Sequence, residues 1–305
     1  LAIDLTGRVA IVTGAGGGLG REHALALAGR GARVVVNDLG GAVDGSGGSL
    51  AAAERVAEEI RTAGGQAIAS SASVTDFAQV EAMVEEATGR WGAVDILVAN
   101  AGILRDRSFA KMALEDFRAV LEVHVMGSVH CAKAVWPGMR DRNYGRIVFT
   151  TSSSGLYGNF GQSNYGAAKM ALVGLMNTLA LEGARYGIKV NCLAPTAGTR
   201  MLEGLMPAEQ LAALDPALVS PAVLALVAEA APTRTVLCAG AGSFEIAQIT
   251  LTRGLHLGGG DAVAERILDE LGRLADPAGQ LVPEDGAGQG SHELAKAGFV
   301  PARAG

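Results

Sequence analysis

The run Thr13-Gly14-Ala15-Gly16-Gly17-Gly18-Leu19-Gly20 lies between a short apolar segment, 8–13, and a helical pattern, 19–29. No other feature constrains the fold as strongly. Glycines let a backbone turn sharply out of a strand, and a helix start offers free N–H groups and the positive dipole end to a phosphate. The same alternation recurs downstream. Apolar, β-branched runs at 32–37, 66–70, 94–99, 146–151, 188–193 and 235–239 alternate with helical patterns at 50–63, 77–89, 114–140, 164–186 and 220–230. Short runs that are apolar throughout suit strands covered on both faces. The expected fold is therefore α/β, an open doubly wound parallel sheet with helices on both faces. Residues 39–49 form a Gly/Ser loop longer than most strand-to-helix connections. Residues 1–249 are read as one domain, since no strong boundary interrupts the alternation. Residues 250–305, Gly/Pro-rich at 258–260 and 276–291, are read as a C-terminal extension with one helix, 261–274, and not as an independent domain.

Composition excludes several classes. Of 305 residues, 49% are hydrophobic and 18% charged, which excludes a disordered chain. Aromatic residues are 4%, so the core is expected to be Ala, Val, Leu and Ile. A net charge of -6 with no basic stripe argues against nucleic acid as a partner. No apolar stretch reaches the ~18 residues of a membrane helix, so no membrane partner is expected. Cys131, Cys192 and Cys238 are far apart, with no C-x-x-C, and His23, His130, His256 and His292 form no H-x-x-x-H. Neither a disulfide framework nor a metal site is expected. With no signal segment at the start and no peroxisomal or reticulum address at the end, the expected location is cytoplasmic.

Two constellations carry chemistry. Asp38 follows the second predicted strand, 18 residues beyond Gly20. A carboxylate there accepts hydrogen bonds from an adenosine ribose and repels a 2′-phosphate, so the cofactor expected is NAD rather than NADP. Its other reading is a turn residue opening the loop. Tyr165 and Lys169 stand four residues apart at the head of a helix and share a face. Ser152 follows the fifth predicted strand, at the sheet end where ligands sit in such folds. Interconverting an alcohol and a ketone requires an acid/base for the hydroxyl proton. A free phenol, with a pKa of about 10, is a poor base near neutrality. A neighbouring ammonium lowers it, and Ser152 can hydrogen-bond the substrate oxygen.

Taken together, Thr13–Gly20, Asn100-Ala101-Gly102, Ser152 and Tyr165-x-x-x-Lys169 resemble the motifs of the short-chain dehydrogenase/reductase family over residues 5–250. The resemblance implies a single Rossmann-type domain, that Tyr165 is the acid/base, that Lys169 also binds the nicotinamide ribose, and that Gly14, Gly18, Leu19 and Gly20 hold the dinucleotide. It further implies that Ser73 and Val74 lie against the adenine, Asn100, Ala101 and Gly102 line the adenine-ribose side, and Pro195 and Thr199 lie near the carboxamide. Ser73 stands where Asp is commoner, and Thr196 follows Pro195 where Gly is usual. His124 takes the place of an Asn whose main-chain carbonyl holds a relay water. Its alternative is a packed helix histidine without a role.

The strings 36–41, 100–109, 143–146, 154–162 and 194–201 are similar to the dehydrogenase unit of the peroxisomal multifunctional enzymes of type 2, also called 17β-hydroxysteroid dehydrogenase type 4. This implies an NAD-dependent (3R)-hydroxyacyl-CoA dehydrogenase in lipid metabolism. A steroid, a 3-oxoacyl carrier protein or another ketone are alternative substrates, and a nucleotide-sensing protein without catalysis is the non-enzymatic alternative. Arg105, Arg107 and Arg200 are read first as surface or ion-paired arginines and second as contacts for CoA phosphates. Residues 202–214, with Met201 and Met206, are read as an acyl-pocket cover or a packing helix. The helices at 114–140 and 164–186 imply, by the resemblance, a homodimer or homotetramer.

Overall fold

Every residue of the first strand, Val9–Thr13 (β1), is buried, as its unbroken apolar run requires. The computed structural model describes residues 2–41, 44, 47, 49–198 and 207–299. After β1 come α1 (Gly18–Ala28), β2 (Arg33–Asn37), α2 (Ala51–Thr62), β3 (Gln66–Ser70), α3 (Phe77–Trp91) and β4 (Ile96–Ala99). Then follow α4 (Leu114–Leu121), α5 (Gly127–Arg142), β5 (Gly145–Thr150), α6 (Ser153–Tyr157), α7 (Ser163–Gly183) and β6 (Ile188–Thr196). The remaining elements are α8 (Ala208–Ala213), α9 (Ser220–Val227), β7 (Val236–Gly240), β8 (Ser243–Ala247), α10 (Val263–Asp269), α11 (Leu271–Leu274) and α12 (Gly286–Lys296).

The sheet order is β3-β2-β1-β4-β5-β6-β7-β8, and β1 through β7 pair in parallel. This is the doubly wound sheet read from the sequence. Alternate strand residues such as Val12, Val34, Val98 and Val148 join one cluster with Leu27 of α1, Ile60 of α2 and Val223 of α9. Helices α3, α5 and α7 pack on the opposite face. Valine, alanine and leucine fill this core, and Phe149 is the one aromatic ring among its largest fully buried side chains. The winding reverses between β1 and β4, so their C-terminal ends splay their loops apart and leave a crevice.

Four features depart from the sequence reading. The region expected as one helix, 114–140, holds a π-helical turn, Glu122–Met126, between α4 and α5. A single wide turn inside a helix has no residue signature of its own, so the stretch reads as one helix. Helix α6 forms from a Ser/Gly stretch because the Ser152 hydroxyl caps it, accepting from Ser154 N at 3.2 Å. Strand β8 is an exposed edge strand and lacks the buried run that marks the others.

The fourth departure is in the extension. By its contacts the chain divides into the units Leu1–Ile246 and Ala247–Gly305. The second holds α10, α11 and α12 where a single helix was expected. Three glycines in α12 weaken its helical signal, yet Asp285 caps it by accepting from Gly288 N at 2.9 Å.

Candidate active site

A cleft of about 560 Å³ opens at the C-terminal ends of the strands in the first unit. One end is built by the glycine loop. Thr13 closes β1, and its hydroxyl accepts from the N–H groups of Asn100 and Ala101, both at 3.0 Å. The Asn100 amide donates to the carbonyls of Thr13 (3.1 Å) and Gly14 (3.2 Å). The end of β4 thus braces the loop. Gly14 has φ 64°, and a Cβ there would lie 2.8 Å from Ala101 Cα. At Gly20 a Cβ would lie 2.2 Å from the Gly14 oxygen, so no larger residue fits. No side chain caps the start of α1, which leaves its first N–H groups for an anion, and Gly17 to Gly20 line the cleft.

Asp38 lines the same end. Its Oδ2 accepts from Gly16 N at 2.7 Å and its Oδ1 from Gly40 N at 2.6 Å. Asp38 is thus the turn brace of its second reading, and it also faces the cleft. Each oxygen keeps a second lone-pair direction for a ribose hydroxyl. Ser73, Val74, Ala101, Gly102 and Pro195 line the cleft too. Thr199, Arg200, Met201 and residues 202–206 lie outside the described residues. The rest of the expected cover, 207–214, contains α8, and its end is held by Gly198 N donating to Leu214 O at 2.6 Å.

At the other end, Ser152, Tyr165 and Lys169 converge on the cleft. Lys169 Nζ donates to Thr150 O at 2.6 Å and lies 5.4 Å from the centre of the Tyr165 ring. Lys169 was expected to lower the phenol, and in this structure burial works against that. Burial pushes the Tyr165 phenol above its ordinary value, the Ser152 hydrogen bond pulls it down, and Asp106 pushes it further up. Lys169 is itself desolvated, and burial lowers it to about 7, so near neutrality it is only partly charged.

His124, on the π turn, places its ring edge-on to Tyr165 with centroids 5.2 Å apart. Its Nε2 lies 3.1 Å from Ile103 N and 2.9 Å from Ile103 O. Burial first, then nearby Lys169, hold the imidazole well below its ordinary value, against the opposing hydrogen bond to Ile103. The ring is therefore neutral near pH 7 and carries no proton to donate as a cation. Its main-chain carbonyl accepts from Ser128 Oγ at 2.7 Å and keeps one lone pair. Gly102 makes room for the ring, since a Cβ there would come 2.2 Å from His124 Cε1. Gly102→Ala is expected to destabilise the protein by about 1–3 kcal/mol through overpacking. A urea midpoint equal to that of the parent would show that the ring yields freely.

Two buried atoms at this end, His124 Nδ1 and Thr150 Oγ1, have no partner among the described residues. Both residues line the cleft, so the site accommodates polar groups of a ligand there. Uncapped N–H groups at one end and unpaired polar atoms at the other fit a dinucleotide. Among the described residues no cluster of His, Cys, Asp or Glu is placed to hold a metal ion. Arg105 is paired with Asp116 at 2.9 Å, the first of its two readings. The sequence reading assigned nothing to Asp106, Ser154, Asn159 and Gln162, which also line the cleft. Their signal lay inside the strings 100–109 and 154–162, but only folding brings the two strings together.

Comparison with known proteins agrees with this geometry. The short chain dehydrogenase family matches residues 8–209. A short-chain type dehydrogenase/reductase of Mycobacterium tuberculosis is 55% identical over 222 residues, covering 73% of the chain and 78% of that relative. The peroxisomal multifunctional enzyme type 2 of Drosophila melanogaster is 55% identical over 223 residues, 73% of the chain and 37% of the enzyme. The full-length structure of that enzyme superimposes with a TM-score of 0.79 at 36% identity, covering 97% of the chain and 50% of the larger one. The chain thus spans about half the length of the Drosophila enzyme. A 7α-hydroxysteroid dehydrogenase complexed with NADH and 7-oxo glycochenodeoxycholic acid superimposes with a TM-score of 0.71 at 32% identity, covering 79% and 95%.

Proposed function

The chain belongs to the short-chain dehydrogenase family, whose enzymes act on CH–OH groups with NAD or NADP, and from that premise we propose that it oxidises (3R)-hydroxyacyl-CoA to 3-oxoacyl-CoA with NAD. The observation that carries this reading is the single cleft lined at once by the glycine loop, Asp38, Ser152, Tyr165 and Lys169. The likeness to the multifunctional enzymes supports the acyl-CoA substrate. The NADH held by the 7α-hydroxysteroid dehydrogenase supports the cofactor, as does the carboxylate of Asp38.

Bound NAD supplies the acceptor for the hydride. The N–H groups at the start of α1 hold the pyrophosphate, and Asp38 accepts from the adenosine ribose. Ser152 hydrogen-bonds the substrate oxygen and fixes it beside the phenol. Tyr165 takes the hydroxyl proton on oxidation and returns it on reduction. Lys169 favours the phenolate when charged and has donors left for a ribose hydroxyl. Helices α4, α5 and α7 are proposed as the faces of a homo-oligomer.

The test is a panel of straight-chain and steroid-derived (3R)-hydroxyacyl-CoAs with NAD, following formation of NADH by its absorbance. No turnover across the panel, with turnover of other secondary alcohols, would overturn the substrate. Fluorescence titration with NADH and NADPH checks the cofactor, and tighter binding of NADPH would overturn that part.

A further inference from the structure

Beside Tyr165 the cleft has a polar wall that the mechanism above does not use. Asp106 Oδ2 accepts from Gln162 Nε2 at 2.6 Å. Gln162 Oε1 accepts from Ser154 Oγ at 2.8 Å and from Asn159 Nδ2 at 3.1 Å. Only one orientation of the Gln162 amide satisfies all three partners, because the flipped amide would set oxygen against a carboxylate and N–H against N–H. The loop after β4 is tied to the loop before α7 on both sides of this contact. Arg107 N donates to Gly161 O at 2.9 Å, and Asn164 Nδ2 donates to Arg105 O at 2.9 Å.

Asp106 is exposed, so its charge meets water and not a cation. Arg105 is engaged by Asp116, and Arg107 reaches the main-chain carbonyl of Asp106 at 3.4 Å, not its carboxylate. Among the described residues no Lys or Arg lies within ion-pair distance of the Asp106 carboxylate. Lys169 is the only Lys or Arg among the described lining.

The geometry points to Asp106, held in place by Gln162, as a specificity-determining residue that admits uncharged acyl derivatives and rejects the free hydroxy acid. The identity of the acyl group rests on the hydroxyacyl reading above. In a 3-hydroxy acid the carboxyl carbon is two bonds from the reacting carbon, so its charge would enter the field of Asp106. A thioester, ester or amide at the same position carries no charge, and its carbonyl can accept the second hydrogen of Gln162 Nε2. Asp106 lines the same cleft as Tyr165, and its charge adds to the upward push of burial on the phenol. The other groups facing Tyr165 are Ser152, Lys169 on its own helix, and His124 from the π turn.

The test compares kcat/KM, with NAD, for the N-acetylcysteamine thioester and the free acid of one (3R)-3-hydroxy acid. The parent protein is expected to favour the thioester. Asp106→Asn keeps an acceptor for Gln162 and removes the charge, and it is expected to narrow that preference about tenfold, with the free acid gaining. It is also expected to move the pH profile of oxidation toward lower pH, because a like charge beside the phenolate is gone. A merely structural role would lower both substrates together and leave their ratio unchanged, which would overturn the inference. So would a parent protein that oxidises the free acid as fast as the thioester. If no hydroxyacyl substrate turns over but another secondary alcohol does, the acyl reading fails by itself. The same ratio is then measured on a carboxylate and methyl ester pair built on that alcohol, with the same outcomes deciding.

Discussion

Tyr165→Phe is expected to cut alcohol oxidation by about 10³-fold while leaving dinucleotide binding within about threefold, because general acid–base catalysis is worth ~10²–10⁴ in rate. The substitution removes one oxygen. The ring remains, and so does its edge-on contact with His124. Steady-state rates and NADH titration on the same preparation check both halves. A rate close to that of the parent protein would remove Tyr165 from its role. The pH dependence has a defined sign. Burial raises the phenol, so oxidation, which needs the ionised form, is expected to accelerate as pH rises, whereas ketone reduction is favoured where the phenol keeps its proton.

Lys169→Met is expected to move activity and stability in opposite directions. Lys169 is 3% exposed, and among the described residues its ammonium makes one hydrogen bond, to Thr150 O. Removing its electrostatic support of the phenolate is expected to cost ~10²–10³ in rate. The same ammonium is a burden to the fold. Its pKa falls from 10.5 to about 7 on burial, so between those values the unfolded chain binds more protons than the folded one. The cost is present in full below pH 7 and is relieved as pH rises toward 10.5. Methionine has similar bulk without charge, so the variant is expected to gain about 1–2 kcal/mol near pH 7 and to show a flatter stability profile from pH 7 to 9. Urea unfolding at several pH values checks this. A variant less stable than the parent at pH 7 would show that the ammonium is better solvated than its burial implies.

The positions of Ser152, Tyr165 and Lys169 were legible because two local rules place them. Side chains four apart on a helix share a face, and a residue just after a parallel strand emerges at the ligand end of the sheet. The glycine loop was legible for a similar reason, since strand, turn and helix follow one another within a dozen residues. Asp38 was half legible. Its position after β2 marked it for the cleft, but its contacts with Gly16 and Gly40 appear only once the two loops meet.

By itself, then, the sequence determined the order of the strands along the chain, the glycine loop between β1 and α1 and the placing of Ser152, Tyr165 and Lys169 at the sheet's ligand end, since each depends on neighbours within a turn or a strand length. Tertiary structure alone decided the charge states and the wall of the pocket. Whether Lys169 carries its proton depends on how completely the surrounding elements exclude water from it. Gln162 meets Asp106 across 56 residues of chain, and the π turn swings His124 against Tyr165 from 41 residues away. A pattern read along the chain reports periodicity, whereas desolvation and long-range hydrogen bonds depend on distances that exist only after the sheet has brought its loops together.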